Sequence, residues 1–197
     1  MTRPRIRKLL TFLIVFGVLL LIWQGALFLA LLRPALITVG VVQPAPQATE
    51  GFAYPALGIT APVTVAPSTS PLEAKDWADI RRALTAGLSL AFDAPTLDDA
   101  RLAFVTGHSS DTYPHPYSTV FAPLGQARVD DRFAVTIGEA SRTYRVIVRQ
   151  VIPPAAVERF TALGPPDGQP ARVALVTCWP PLTTNQRLVI VGEQVVE

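Results

Sequence analysis

The chain holds one cysteine, Cys178, among 197 residues. An internal disulfide is therefore excluded, and the thiol is core filler, an intermolecular partner or a reactive group. Histidine is nearly as scarce, with only His108 and His115. Neither stands with a second His, Cys or carboxylate at the spacing of a zinc site, so no metal and no cofactor is expected. A glycine-rich phosphate loop is also missing. Acidic residues are absent from the first 33 positions, which carry five of the 17 Lys+Arg. The remainder therefore sets 12 basic residues against all 15 acidic ones, a balance of −3. A basic front and a mildly acidic body exclude a nucleic-acid binder, despite a pI near 9.0.

What the front does contain is a long uncharged run. Residues 9–32 read LLTFLIVFGVLLLIWQGALFLALL, with Thr11 and Gln24 the clearly polar members. A helix of that length reaches about 36 Å, enough for a hydrocarbon core of about 30 Å. A cleaved signal peptide has a shorter apolar core, of about 7–15 residues. The run is expected to be a retained single-pass anchor. Arg3, Arg5, Arg7 and Lys8 precede it, so the N-terminus is expected in the cytoplasm and everything after it outside the cell membrane. An unpaired cysteine in an exported domain is then a flag for a working thiol.

The expected organisation is a basic flank over 1–8, an anchor over 9–32, a Pro-containing tether over 33–51 and one domain over 52–197. Pro-rich β-forming sequence at 52–67 suggests short edge strands. Ser70, Pro71 and Glu73 form an N-terminal capping pattern, and Trp77, Ile80 and Leu84 make an apolar stripe. With Gly87 as a stop, they predict a helix over 71–86. Beyond it the pattern is β: RLAFVTG at 101–107, a hairpin around EAS, and a last pair formed by ARVALVTC and QRLVIVGEQVV. In the hairpin's second arm Tyr144, Val146 and Val148 alternate with Arg145, Ile147 and Arg149. Many short strands and one helix predict a mainly β, closed or nearly closed barrel. The pairs Asp98-Asp99 and Asp130-Asp131 read as solvated turns.

Cys178 ends a strand, Arg187 opens the next, and His108 follows a third. Side chains at strand ends can converge on one rim. The chemistry suits such a meeting. A thiolate is a nucleophile that a nearby cation favours, an imidazole moves protons, and a guanidinium can hold an oxyanion.

The motifs TGHSS (106–110) and LVTCWP (175–180), with Arg187 nine residues past Cys178, resemble those of the sortases, membrane-anchored bacterial cysteine transpeptidases. YPALGITAPV (54–63) is similar to the family's opening segment. STVFAPLGQARVDDRFAV (118–135) resembles its short turn and strand entry, with Asp130-Asp131 where the family has Gly-Asp. The resemblance covers about residues 52–196. TLDDARLAF lacks the family's frequent Gly-Asn, and DTYPHPY follows the histidine as an insert.

The resemblance implies a sortase-like β-barrel with one or two short helices behind the anchor, and catalytic His108, Cys178 and Arg187. It implies that Cys178 attacks a carbonyl in the C-terminal sorting signal of an exported protein. The acyl group then passes to an amine of a peptidoglycan precursor or a pilin. His115 is assigned to a loop, and no third, acidic member is expected. Two alternatives remain open from the residues: a thiol peptidase that mainly hydrolyses, and a non-catalytic anchored β-domain that binds an exported partner.

Overall fold

Apolar residues alternating with period two build nine strands around one interior. In the computed structural model the described residues are 3–39, 51–65, 77–92, 94, 96–111, 115–157 and 164–196. The strands are β1 (Gly51–Tyr54), β2 (Ile59–Ala61), β3 (Val63–Val65), β4 (Leu88–Phe92), β5 (Leu102–Thr106), β6 (Arg132–Ile137), β7 (Ala140–Ile152), β8 (Arg172–Trp179) and β9 (Gln186–Gln194). They form a single sheet in the order β2-β1-β6-β7-β9-β8-β5-β4-β3. The two edge strands, β2 and β3, are separated in sequence only by Pro62, so the chain itself joins the edges and nearly closes the barrel. The Pro62 carbonyl also accepts the Leu88 N–H at 2.9 Å. Proline suits this corner because it has no N–H to leave unpaired.

The interior is aromatic. Phe52, Tyr54, Phe121, Phe133 and Tyr144 are all at most 1 % exposed. Phe133 sits centrally, with ring centroids 5.5–5.7 Å from Phe52, Tyr54 and Tyr144. Such pairs add about 0.5–1.5 kcal/mol each beyond their area burial. Leu88, Leu90, Val105, Leu175, Leu188 and Ile190 fill the space around them.

Two α-helices are present among the described residues, α1 (Arg3–Thr38) and α2 (Trp77–Ala86). Ile80 and Leu84 of α2 are buried, as their spacing predicts. The capping pattern at Ser70, Pro71 and Glu73 lies outside the described residues, as do 40–50 of the tether. Helix α1 is continuous to Thr38 and rests against the domain, where the Gln126 side chain donates to the Leu31 carbonyl at 2.6 Å. Among the described residues, no helix is long and apolar enough to cross a membrane.

One strand departs from simple alternation. The pairing of β7 with β9 shifts between Val146 and Val148, so the inward phase changes there. Tyr144 and Val146 face the interior, whereas Val148 is only half-buried. Past the bulge Val151 packs on the interior and Ile152 turns to the opposite face. One extra residue on a strand exchanges its faces. Of the acidic pairs, Asp98, Asp99 and Asp130 are exposed in turns as expected, whereas Asp131 is half-buried and its Oδ2 accepts from the Tyr54 hydroxyl at 2.8 Å and the Arg128 N–H at 2.9 Å.

Candidate functional site

On β8, Val173 and Leu175 point into the barrel, while Ala174 and Val176 join a second, smaller cluster on the outer face. Continuing the alternation puts Cys178 on that outer face. On β9, Leu188 and Ile190 point inward and Val189 and Val191 outward, so Arg187 also lies outward. The register pairs Cys178 directly with Arg187. Directly opposed residues hold their Cβ atoms about 4.5–5.5 Å apart on one face. On the far side of β9, Arg187 pairs with Ile152, the residue that the β7 bulge turns outward.

On the near side of β8 lies β5, parallel to it, with Thr106 opposite Val176. The pairing carries on past the strand end: the Gly107 N–H donates to the Val176 carbonyl at 3.3 Å, and the Thr177 hydroxyl to the Gly107 carbonyl at 2.7 Å. One step further brings His108 alongside Cys178. Leu102 and Phe104 of β5 lie on the outer face, and the same phase places His108 there. The result is one row across four neighbouring chain segments: Ile152, Arg187, Cys178, His108. The register thus sets Cys178 beside Arg187, and the continuation of β5 leads His108 towards the same end of the sheet, next to an outer apolar cluster that includes Phe104, Val176, Val189 and Val157.

Local sequence explains the placement. Gly107 passes so close to the core that a Cβ there would lie 2.5 Å from Leu88 and 2.7 Å from Phe121. Only glycine brings His108 this near the rim without displacing the core. The His108 carbonyl then accepts the Phe121 N–H at 2.8 Å. The loops meet as well, since the Leu182 N–H donates to the Ser110 hydroxyl at 2.6 Å. Arg187 Nη1 donates to the carbonyls of Thr184 and Gln186, at 2.9 and 3.0 Å, which ties one end of its guanidinium to its own loop. The Cys178 thiol is half-buried.

His115 lies in a loop, as expected, but is half-buried there, and His108 has an acidic neighbour. Asp111 Oδ2 lies 3.4 Å from His108 Nε2 and 3.2 Å from His115 Nε2. The two imidazoles stand edge to face with centroids 5.5 Å apart. The sequence reading finds no second His, Cys or carboxylate at zinc-site spacing from either histidine, and the structure nonetheless brings both to Asp111. Asp111 and His115 both come within reach of the His108 ring, which sequence separation alone does not reveal. The signal available was the spacing His-x2-Asp-x3-His. By distance these three side chains could hold a metal ion, their ligand atoms being within 4.8 Å of one another. Hydrogen bonding opposes it: the Tyr117 N–H donates to His115 Nδ1 at 3.3 Å. A histidine ligating through Nε2 carries its proton on Nδ1 and donates it outward. Burial holds the His108 imidazole below its ordinary value, with Asp111 pulling upward and His115 adding to the lowering.

Comparison with known proteins agrees with the fold. The family model described as Sortase domain matches residues 53–195. Among solved structures, sortase C-1 from Actinomyces oris is 23% identical, covers 75% of this chain and 73% of its own, and superposes with a TM-score of 0.57. Sortase C1 from Streptococcus suis is 18% identical, covering 81% of this chain and 76% of its own, with a TM-score of 0.58. A lid mutant of sortase A from Corynebacterium diphtheriae is 18% identical, covering 78% and 73%, with a TM-score of 0.56. Among curated proteins, none matches this chain.

Proposed function

The chain belongs to the sortase family, and we propose that it is a membrane-anchored cysteine transpeptidase acting through Cys178, Arg187 and His108. The observation that carries this reading is the register that pairs Cys178 directly with Arg187, supported by β5, the neighbour of β8 on the other side, whose chain runs on through Gly107 towards His108. The Cys178 thiolate attacks a backbone carbonyl within the C-terminal sorting signal of an exported protein. The Arg187 guanidinium, planar and rich in donors, holds the oxyanion of the tetrahedral intermediate. His108 gives a proton to the departing amine, the C–N bond breaks, and a thioester to Cys178 remains. An amine of a peptidoglycan precursor or pilin then attacks the thioester. His108 takes its proton, and the thiolate leaves. Splitting one amide exchange into two acyl transfers is the gain from a covalent nucleophile.

In this reading the uncharged run at 9–32 crosses the cell membrane, with the basic flank at 1–8 cytoplasmic and the barrel extracellular. Its support is the length of that run and the basic residues before it. The exposed Phe12, Leu13, Ile14, Val15 and Phe16 suit a lipid environment.

The test is intact mass of the full chain in detergent after mixing with a pool of sorting-signal peptides, with and without an added amine, beside Cys178→Ala. The expected result is a mass gain on the wild type only, which the amine converts to ligated peptide. A gain discharged by water but not by amine would mark a hydrolase. No gain with any peptide, together with a thiol that resists alkylation, would mark a non-catalytic domain.

A further inference from the structure

We propose that Asp111 and His115 form a positioning relay behind His108, in which His115 orients Asp111 and Asp111 fixes the His108 ring with its proton on Nε2. The inference rests on His108 being the proton carrier of the reading above, and it adds two residues to that machinery.

The argument starts at the far end. The Tyr117 N–H points at His115 Nδ1, 3.3 Å away, so that nitrogen is an acceptor and carries no hydrogen. The His115 proton is then on Nε2, which faces Asp111 Oδ2 at 3.2 Å. A second turn bond, from the Ser118 N–H to the His115 carbonyl at 3.0 Å, holds the backbone of this corner. The His115 side chain is only 14% exposed, less than His108 at 24%, which a solvated loop residue would not be.

The same carboxylate oxygen lies 3.4 Å from His108 Nε2. That is the outer edge of hydrogen-bond reach, and such contacts in an unliganded site commonly tighten when substrate fills it. A carboxylate accepts only, so it selects the His108 tautomer with hydrogen on Nε2. Nδ1 is then the nitrogen that exchanges protons with the Cys178 thiol and the departing amine. The His115 ring, edge to face with His108 at 70°, limits rotation of the catalytic imidazole. Among the described residues, the titratable groups that act on His108 are Asp111 and His115 on its own loop; Cys178 and Arg187 lie on the strands β8 and β9.

The experiment uses the full chain and the variants Asp111→Ala, Asp111→Glu, His115→Ala and the Asp111→Ala/His115→Ala double. Side-chain ¹⁵N shifts of His108 report its tautomer with no substrate present. The wild type should be mainly the Nε2–H form, and Asp111→Ala should shift it to a mixture. In steady-state ligation Asp111→Ala should lower kcat about 10–100-fold, with KM changed less than about twofold. His115→Ala should lose less, about 3–10-fold, and the double variant should be no worse than Asp111→Ala, because the two act in series. Asp111→Glu should recover part of the loss. All variants should melt within a few degrees of the wild type.

A wild-type His108 found mainly as the Nδ1–H tautomer would overturn the relay, whatever the activity. Wild-type kcat in both single variants would do the same, while a dead Cys178→Ala control beside them would leave the cysteine mechanism standing. One equivalent of Zn²⁺ retained against a chelator, and lost in Asp111→Ala, would overturn it in favour of a metal site.

Discussion

The two faces of β8 and β9 divide the work of this protein. Facing inward, Val173, Leu175, Leu188 and Ile190 meet the aromatic centre and are fully buried. Facing outward, Ala174, Val176 and Val189 make a thinner layer that ends in Cys178 and Arg187. Adjacent residues along one strand thus belong to different tasks, because the pleat sends them to opposite sides. The inner face holds the barrel shut. The outer face carries Cys178 and Arg187 on that support, so under the proposed function chemistry and stability should be separable by single substitutions.

Several substitutions would sharpen or break that separation. Cys178→Ala should abolish acyl transfer to peptide, read by intact mass, while leaving the melting temperature nearly unchanged. A variant that still transfers acyl groups would end the thiol reading. Arg187→Lys should keep the charge and lose the planar fork, with kcat falling about 10²–10³-fold as when an oxyanion donor is removed. Near-normal turnover would remove Arg187 from the transition state.

Leu175→Ala, three positions before Cys178 on β8 and on the inner face, should cost about 2–5 kcal/mol. For a chain of this size that is a drop in melting temperature of roughly 4–20 °C, with activity below the transition little altered. If it abolished catalysis while still folded, the two faces would not be separable. Gly107→Ala tests the joint between them. Its Cβ would meet Leu88 and Phe121, so about 1–3 kcal/mol of overpacking strain is expected. Here activity should fall as well, since His108 must move.

The smallest effect is in pH. Burial lowers His108 below the ordinary imidazole value of about 6.5. Protonation therefore favours the unfolded chain. Stability should begin to fall as pH drops through that ordinary value and should level off below the folded-state one. Asp111→Ala removes an upward pull and should move the His108 midpoint, followed by NMR, to still lower pH. A midpoint above the ordinary value would show that the carboxylate outweighs burial.

Some of this was legible without coordinates. The strands β5, β6, β8 and β9 announce themselves as short apolar runs between turns, and the first part of β7 by its alternation. The trio His108, Cys178 and Arg187 stands out because rare reactive residues fall at three strand ends, and the resemblance of TGHSS and LVTCWP to sortase motifs points the same way. The β7 bulge was not legible, since Tyr144 to Arg149 alternates without a break in sequence and only the pairing partner registers the extra residue. Asp111 was passed over for a related reason. It sits in a polar insert whose composition suits a solvated loop, and a turn further on decides what it faces.

What the amino-acid sequence determined by itself is local: which segments alternate, where glycine and proline interrupt them, and which few side chains are chemically able to act. These follow from period and residue type, which neighbours along the chain suffice to express. What only the tertiary structure decided is adjacency. Closure of the sheet at Pro62, the turning outward of Ile152 beside Arg187, and the meeting of His108 with Asp111 and His115 all depend on register and chain reversal. Those are set by the packing of segments distant in sequence, where a shift of one residue exchanges the two faces of a strand.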